Sequence, residues 1–136
     1  MKIKFLYVVV MGLLLGGCSA HNAFIIKNTT DTHTVSEKKF KPHNDKVFIS
    51  ADSLPADAYE LIGIIDVGKI WYGSTASVLE SMAVRGRELG ADAVIEVKTW
   101  HQPSGFSWAA PHGSGKAVKY IDKTKIDYSK LKGDFM

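Results

Sequence analysis

The chain opens Met1-Lys2-Ile3-Lys4 and passes directly into an apolar run, residues 5–15, broken only by Gly12 and closed by Leu15-Gly16-Gly17-Cys18. This start constrains the fold most, because it decides which residues belong to the fold at all. Two lysines, a short apolar core and small residues make the three-part plan of a secretory signal. The run has eleven residues, whereas crossing about 30 Å of hydrocarbon takes roughly 20. Residues 1–17 are therefore expected to be removed. Lys2 and Lys4 go with them, so a formal charge of +3 over 136 residues becomes 15 basic against 14 acidic side chains. A nearly neutral chain has no electrostatic pull toward nucleic acid. Its single cysteine excludes an internal disulfide and a Cys-rich zinc site.

Leu15-Gly16-Gly17-Cys18 resembles the lipobox of bacterial lipoprotein precursors. The resemblance implies that the Cys18 sulfur is diacylated, that the chain is cut before it, and that the new amino terminus is acylated. Several acyl chains, at roughly 0.8 kcal/mol per buried methylene, hold a protein to a membrane permanently. Ser19 stands where Asp would favour inner-membrane retention. The implied address is the outer membrane, with the chain anchored by its N-terminal lipid and the domain facing the periplasm.

Residues 18–45 show no sustained period of 2 or 3.6 and are polar or charged beyond Ile26, so they read as a flexible tether. A coil of about 27 residues spans roughly 30 Å r.m.s.. The folded domain is expected over residues 46–121, with a charged tail at 122–136. Val47-Phe48-Ile49 reads as a short strand, and residues 59–67 as a β-branched strand in which Gly63 marks a bulge or a close backbone approach. Ser74 or Thr75 is placed to cap a helix through Leu89, with Glu80 near its positive end. Leu79, Met82, Ala83, Gly86 and Leu89 form its apolar stripe. Gly90 fits a left-handed helix stop. Residues 91–99 then alternate, with Ala93, Ile95 and Val97 on one face and Asp92, Val94, Glu96 and Lys98 on the other. Residues 116–121 close the sheet. The expected class is α+β, an antiparallel-rich curved sheet of about four strands packed on one helix.

Residues 100–115 read as a long loop, and loops of that length in small domains are functional or disordered. This one carries Trp100, His101, Phe106, Trp108 and His112. The rings are expected either to offer contact area to a protein, a glycan or the bilayer, or to fold back and cap one end of the sheet. His101 and His112, with Asp66 or Glu96, are borderline metal ligands with no close-spaced pair among them, and no metal or other cofactor is assigned. Gly113-Ser114-Gly115-Lys116-Ala117 fails as a phosphate loop, with Ala110 at the first glycine position and Ala117 where Ser or Thr must reach magnesium. Ser, His and Asp occur without a Gly-x-Ser-x-Gly elbow. No catalytic residue is assigned.

Tyr59-Glu60-Leu61-Ile62-Gly63, then Leu89-Gly90-Ala91-Asp92-Ala93-Val94, then Gly115-Lys116-Ala117-Val118 resemble the motifs of the YbjQ-like superfamily over about 75 residues. The resemblance implies a small sheet with one packed helix, similar in fold to the Rcs stress-sensing outer-membrane lipoprotein. That protein is disulfide-bonded, whereas this chain has one cysteine. The matched residues are apolar or glycine positions, so no ligand carries over. Ring assembly among relatives implies a homo-oligomer through exposed sheet edges. Together these readings describe a non-enzymatic, membrane-anchored lipoprotein that binds an envelope protein partner or serves envelope maintenance or stress sensing. A small-ligand or metal-binding domain is the alternative.

Overall fold

The computed structural model describes residues 27–136. The signal segment, Cys18 and the first part of the expected tether lie outside the described residues. The fold is α+β: one sheet of six strands and one helix. In chain order the elements are β1 (Thr29–Thr34), β2 (Phe48–Ser50), β3 (Tyr59–Gly68), α1 (Ala76–Glu88), β4 (Ala93–Ser104), β5 (Ser107–Tyr120) and β6 (Gly133–Phe135), with two short 3-10 turns between β5 and β6. The sheet order is β1-β3-β5-β4-β2-β6. Its pairs are antiparallel except β2 against β4, which runs parallel.

The sheet exceeds the four strands expected because two strands come from segments read as tether and tail. Thr29–Thr34 pairs along β3 from Gly68 to Gly63. Its residues are threonine, aspartate and histidine, half or fully exposed, so no apolar alternation announces it. β3 supplies the ladder, and Arg85 Nε donates to Thr32 Oγ1 at 2.7 Å to tie the strand to α1. Phe40 packs against the helix-side core, and His43 Nε2 sits 2.7 Å from the Ala91 carbonyl. The described part of the expected tether is thus part of the domain. At the other terminus β6 pairs with β2, and Val47 and Met136 exchange backbone hydrogen bonds of 2.8 and 3.0 Å.

Gly63 does what its place in a β-branched run suggested. The β3/β5 register shifts between Leu61 and Gly63, and a Cβ at 63 would lie 2.6 Å from the His33 carbonyl oxygen. The bulge admits β1 at a distance no side chain allows. Helix α1 starts after Thr75, as expected, but Thr75 is itself helical and makes no side-chain cap bond, and Glu80 lies beyond the first turn. Its end is a Schellman motif: Ala91 N donates to Gly86 O and Gly90 N to Arg87 O, with Gly90 at φ 74°.

The helix buries Val78, Met82, Ala83 and Gly86 against Ile65, Val67, Val94, Val97 and Ala117. A second core covers the opposite face: Phe48, Leu54, Ala58, Ala93, Ile95, Val118 and Ile126, with Tyr59, Tyr120, Tyr128 and Leu131 packed around them. Both faces of the sheet near its β2 end are covered, whereas the sequence pattern suggested one. Val94 and Val97 share the helix side because Glu96 bulges. Its φ is 52° and the β4/β5 register slips between Ile95 and Lys98. One extra residue switches the alternation expected for Val97.

Candidate functional site

The segment expected as a loop at 100–115 is instead the long part of a hairpin. β4 and β5 stay paired from Ala93↔Val118 to Ser104↔Ser107, and Gly105 (φ 55°) and Phe106 form the two-residue turn. Prolines disguised it. Pro103 sits where the register slips between Gln102 and Ser104, and Pro111 lies past Gly68–His112, the last β3 pair, with its carbonyl turned to accept from Lys69 N at 3.1 Å. A proline at a bulge or beyond a neighbouring strand costs no ladder hydrogen bond.

Gly113 and Gly115, the would-be phosphate loop, lie under α1. A Cβ at 113 would meet Val78 Cγ1 at 2.6 Å, and one at 115 would meet Val94 Cγ1 at 2.7 Å. Gly113 lets the helix approach the sheet, and Gly115 makes room for Val94 and Val97 of β4.

The five ring-bearing residues of this segment separate into two groups. Directly opposed residues share a face and neighbours along a strand alternate, so Trp100↔His112 share a face and His101 lies on the other. His112 is fully buried, its Nδ1 3.0 Å from the Ala110 carbonyl and its ring stacked on Trp100 at 6.3 Å. Trp100 Nε1 donates to Gln102 Oε1. His101 Nε2 reaches the Gly73 carbonyl at 3.0 Å. Asp66 faces His33 at 3.4 Å, and Glu96 pairs with Lys116, which raises the Lys116 pKa through their hydrogen bond. The four candidate ligands are therefore committed to separate partners. Among the described residues no group of three His, Asp or Glu side chains is placed to hold a metal.

Phe106 and Trp108 form the other group, and the structure adds two rings the sequence did not connect to them. The segment after β3 runs beside the hairpin: Phe106 N donates to Ile70 O at 3.1 Å, and Trp108 N to Tyr72 Oη at 3.3 Å. Trp71 stacks on Phe106 with ring centroids 5.3 Å apart and planes at 25°. Trp71 is 59% exposed, Tyr72 61%, Phe106 64% and Trp108 81%. Four large rings left in water at one end of a domain whose other apolar side chains are mostly packed mark an interaction surface. Trp71 and Tyr72 lie beyond Gly68, the last residue of β3.

At the opposite end the polar side chains hold structure. Asp92 accepts from Tyr120 N at 2.8 Å and from Lys119 Nζ at 3.1 Å. Burial pushes the Tyr120 phenol well above its usual range, and its hydroxyl is hydrogen-bonded with that of Tyr128 at 3.0 Å. Comparison with protein-family models, curated proteins and solved structures found no match to this chain.

Proposed function

We propose that this is a lipid-anchored envelope protein that works by contact, not by catalysis. The signal is removed, Cys18 carries the acyl groups, and Ser19 directs the chain to the outer membrane, with the domain in the periplasm. The exposed cluster of Trp71, Tyr72, Phe106 and Trp108 carries the reading, because among the described residues it is the one place where large apolar area is left uncovered on several rings at once. The side chains able to do chemistry are engaged elsewhere: His112 in a buried stack, Asp92 and Lys119 in holding the far end, His101 on a backbone carbonyl. The YbjQ-like resemblance agrees with a structural use of its motif, since Gly90 stops the helix and Asp92 secures β5. An envelope protein partner, envelope maintenance or stress sensing are the roles such a contact serves.

Mass spectrometry of the purified protein tests the anchor. The intact protein should begin at an acylated Cys18, and Cys18→Ala should leave the chain uncut and without lipid. A photo-crosslinking residue at Ala109 tests the contact. Its products in the native envelope should disappear in Phe106→Ser/Trp108→Ser while far-UV circular dichroism stays the same. Unchanged products would overturn the assignment of the surface.

A further inference from the structure

The chain enters the domain at the aromatic end. Asn28 Oδ1 accepts from Ile70 N at 3.2 Å, Ile70 O accepts from Phe106 N, and Phe106 stacks on Trp71. Thr29, the first residue of β1, is paired with Gly68, the last of β3. Whatever holds residue 18 therefore pulls on the domain from the same side as its exposed rings.

Covalent reach makes this a constraint on orientation. Ten residues lead from Cys18 to Asn28, and ten residues span at most about 36 Å when fully stretched. β3, with ten residues, is itself about 33 Å long. With the aromatic end down, Asn28 lies near the surface and the leash is slack. With the opposite end down, Asn28 stands a strand length above the surface and the leash is nearly taut, at a large cost in chain entropy.

The chemistry of that end suits a lipid interface. Residues 67–79 and 97–121, which carry the rings, contain no Asp or Glu, and the nearest strand carboxylates, Asp31 and Asp66, stand level with Ser114 and Lys98, back from the turn. No carboxylate has to be desolvated there or brought against anionic headgroups. Trp and Tyr have an apolar body and a polar edge, the combination enriched at headgroup depth. Residues 107–111 of β5 run beyond the last β3 pair at Gly68, so the rings sit on a projecting turn.

We propose that Trp71, Tyr72, Phe106 and Trp108 seat in the interfacial layer of the bilayer that holds Cys18, so that the domain stands hairpin-first on its own membrane. This rests on the reading of Cys18 as acylated and names what the aromatic surface touches. The test uses the full acylated protein, produced in a two-membrane bacterium and reconstituted in phosphatidylethanolamine/phosphatidylglycerol vesicles with bromine on the upper acyl chain. Tryptophan emission should move to shorter wavelength and be quenched by the brominated lipid. Tyr72→Ser/Phe106→Ser keeps all three tryptophans and should lose most of that quenching with its circular dichroism unchanged. Acylated protein with emission no different in brominated and plain vesicles overturns the membrane seat and leaves a protein as the occupant. A chain with no acyl group by mass spectrometry overturns the anchor, and the proposal with it.

Discussion

The two ends of the β4–β5 hairpin share a ladder and have opposite surfaces. At the Ala93–Val118 end both faces of the sheet are covered, by α1 on one side and by the 3-10 turns of residues 122–131 on the other. There Ala93, Ile95 and Val118 are fully buried and Asp92 accepts two hydrogen bonds. At the Ser104–Ser107 end the two strands remain paired to each other, beyond the reach of β3, and Phe106 and Trp108 are exposed to water beside Trp71 and Tyr72. The turn is tied to the domain by the β4–β5 ladder and by the Phe106 N to Ile70 O hydrogen bond, so its side chains are free to serve contact instead of the core. The difference separates substitutions that damage the fold from those that damage its use.

The largest loss is expected where the closed end is deepest. Ile95→Ala or Met82→Ala, both at fully buried positions, should cost about 2–5 kcal/mol in urea unfolding, the range for emptying a packed site. Gly113→Val should also destabilise the fold strongly, because its Cβ enters the space of Val78 and Met82. Asp92→Ala comes next. It strips the acceptor from Tyr120 N and the partner from Lys119, a loss of about 1–3 kcal/mol, measured in the same way. An Asp92 variant as stable as the parent would mean that the far end is held by packing alone.

Acid should loosen the closed end selectively. Hydrogen bonds hold three carboxylates below their usual 3.8: Lys125 donates to Asp57, the Thr124 hydroxyl and backbone N to Asp122, and the Ser129 hydroxyl to Asp127. A depressed folded-state pKa gives stability that is present above the ordinary value and lost as pH falls below it. Because all three sit on or against residues 122–131, those residues should lose amide protection below about pH 3.8 while the hairpin amides keep theirs. Loss of both together would erase the distinction between the ends.

The smallest effect on stability is expected at the exposed rings. Phe106→Ser/Trp108→Ser should change unfolding by no more than about 0.5 kcal/mol, the usual range for surface sites, while abolishing contact.

Much of this layout was legible from the residues. Gly63 within β-branched neighbours, the Leu89-Gly90 helix stop and the α+β class follow from local rules that the tertiary structure leaves in force. The hairpin was not, because Pro103 and Pro111 argue against a strand unless one knows that a bulge and a missing neighbour accommodate them. β1 and β6 were not, because a threonine-rich strand and a three-residue strand take their stability from β3 and β2 and carry little pattern of their own. The consequences spread to the surface residues. Arg85 and Arg87 lie outside the apolar stripe of α1, yet one reaches Thr32 in β1 and the other the Met136 carbonyl. Of the site, Phe106 and Trp108 were visible as ring-bearing residues, but their union with Trp71 and Tyr72 depends on the course of residues 69–73 beside the hairpin.

The claim that the hairpin end is a contact surface and not part of the core is tested most directly by thermal unfolding of Phe106→Ser/Trp108→Ser. A loss of 1 kcal/mol lowers the midpoint by about 4–8 °C in a domain of this size. The expected change of no more than about 0.5 kcal/mol lowers it by no more than about half of that. A midpoint lowered well beyond it would show that the four rings hold the fold together, and that the surface they form is not free to touch anything else.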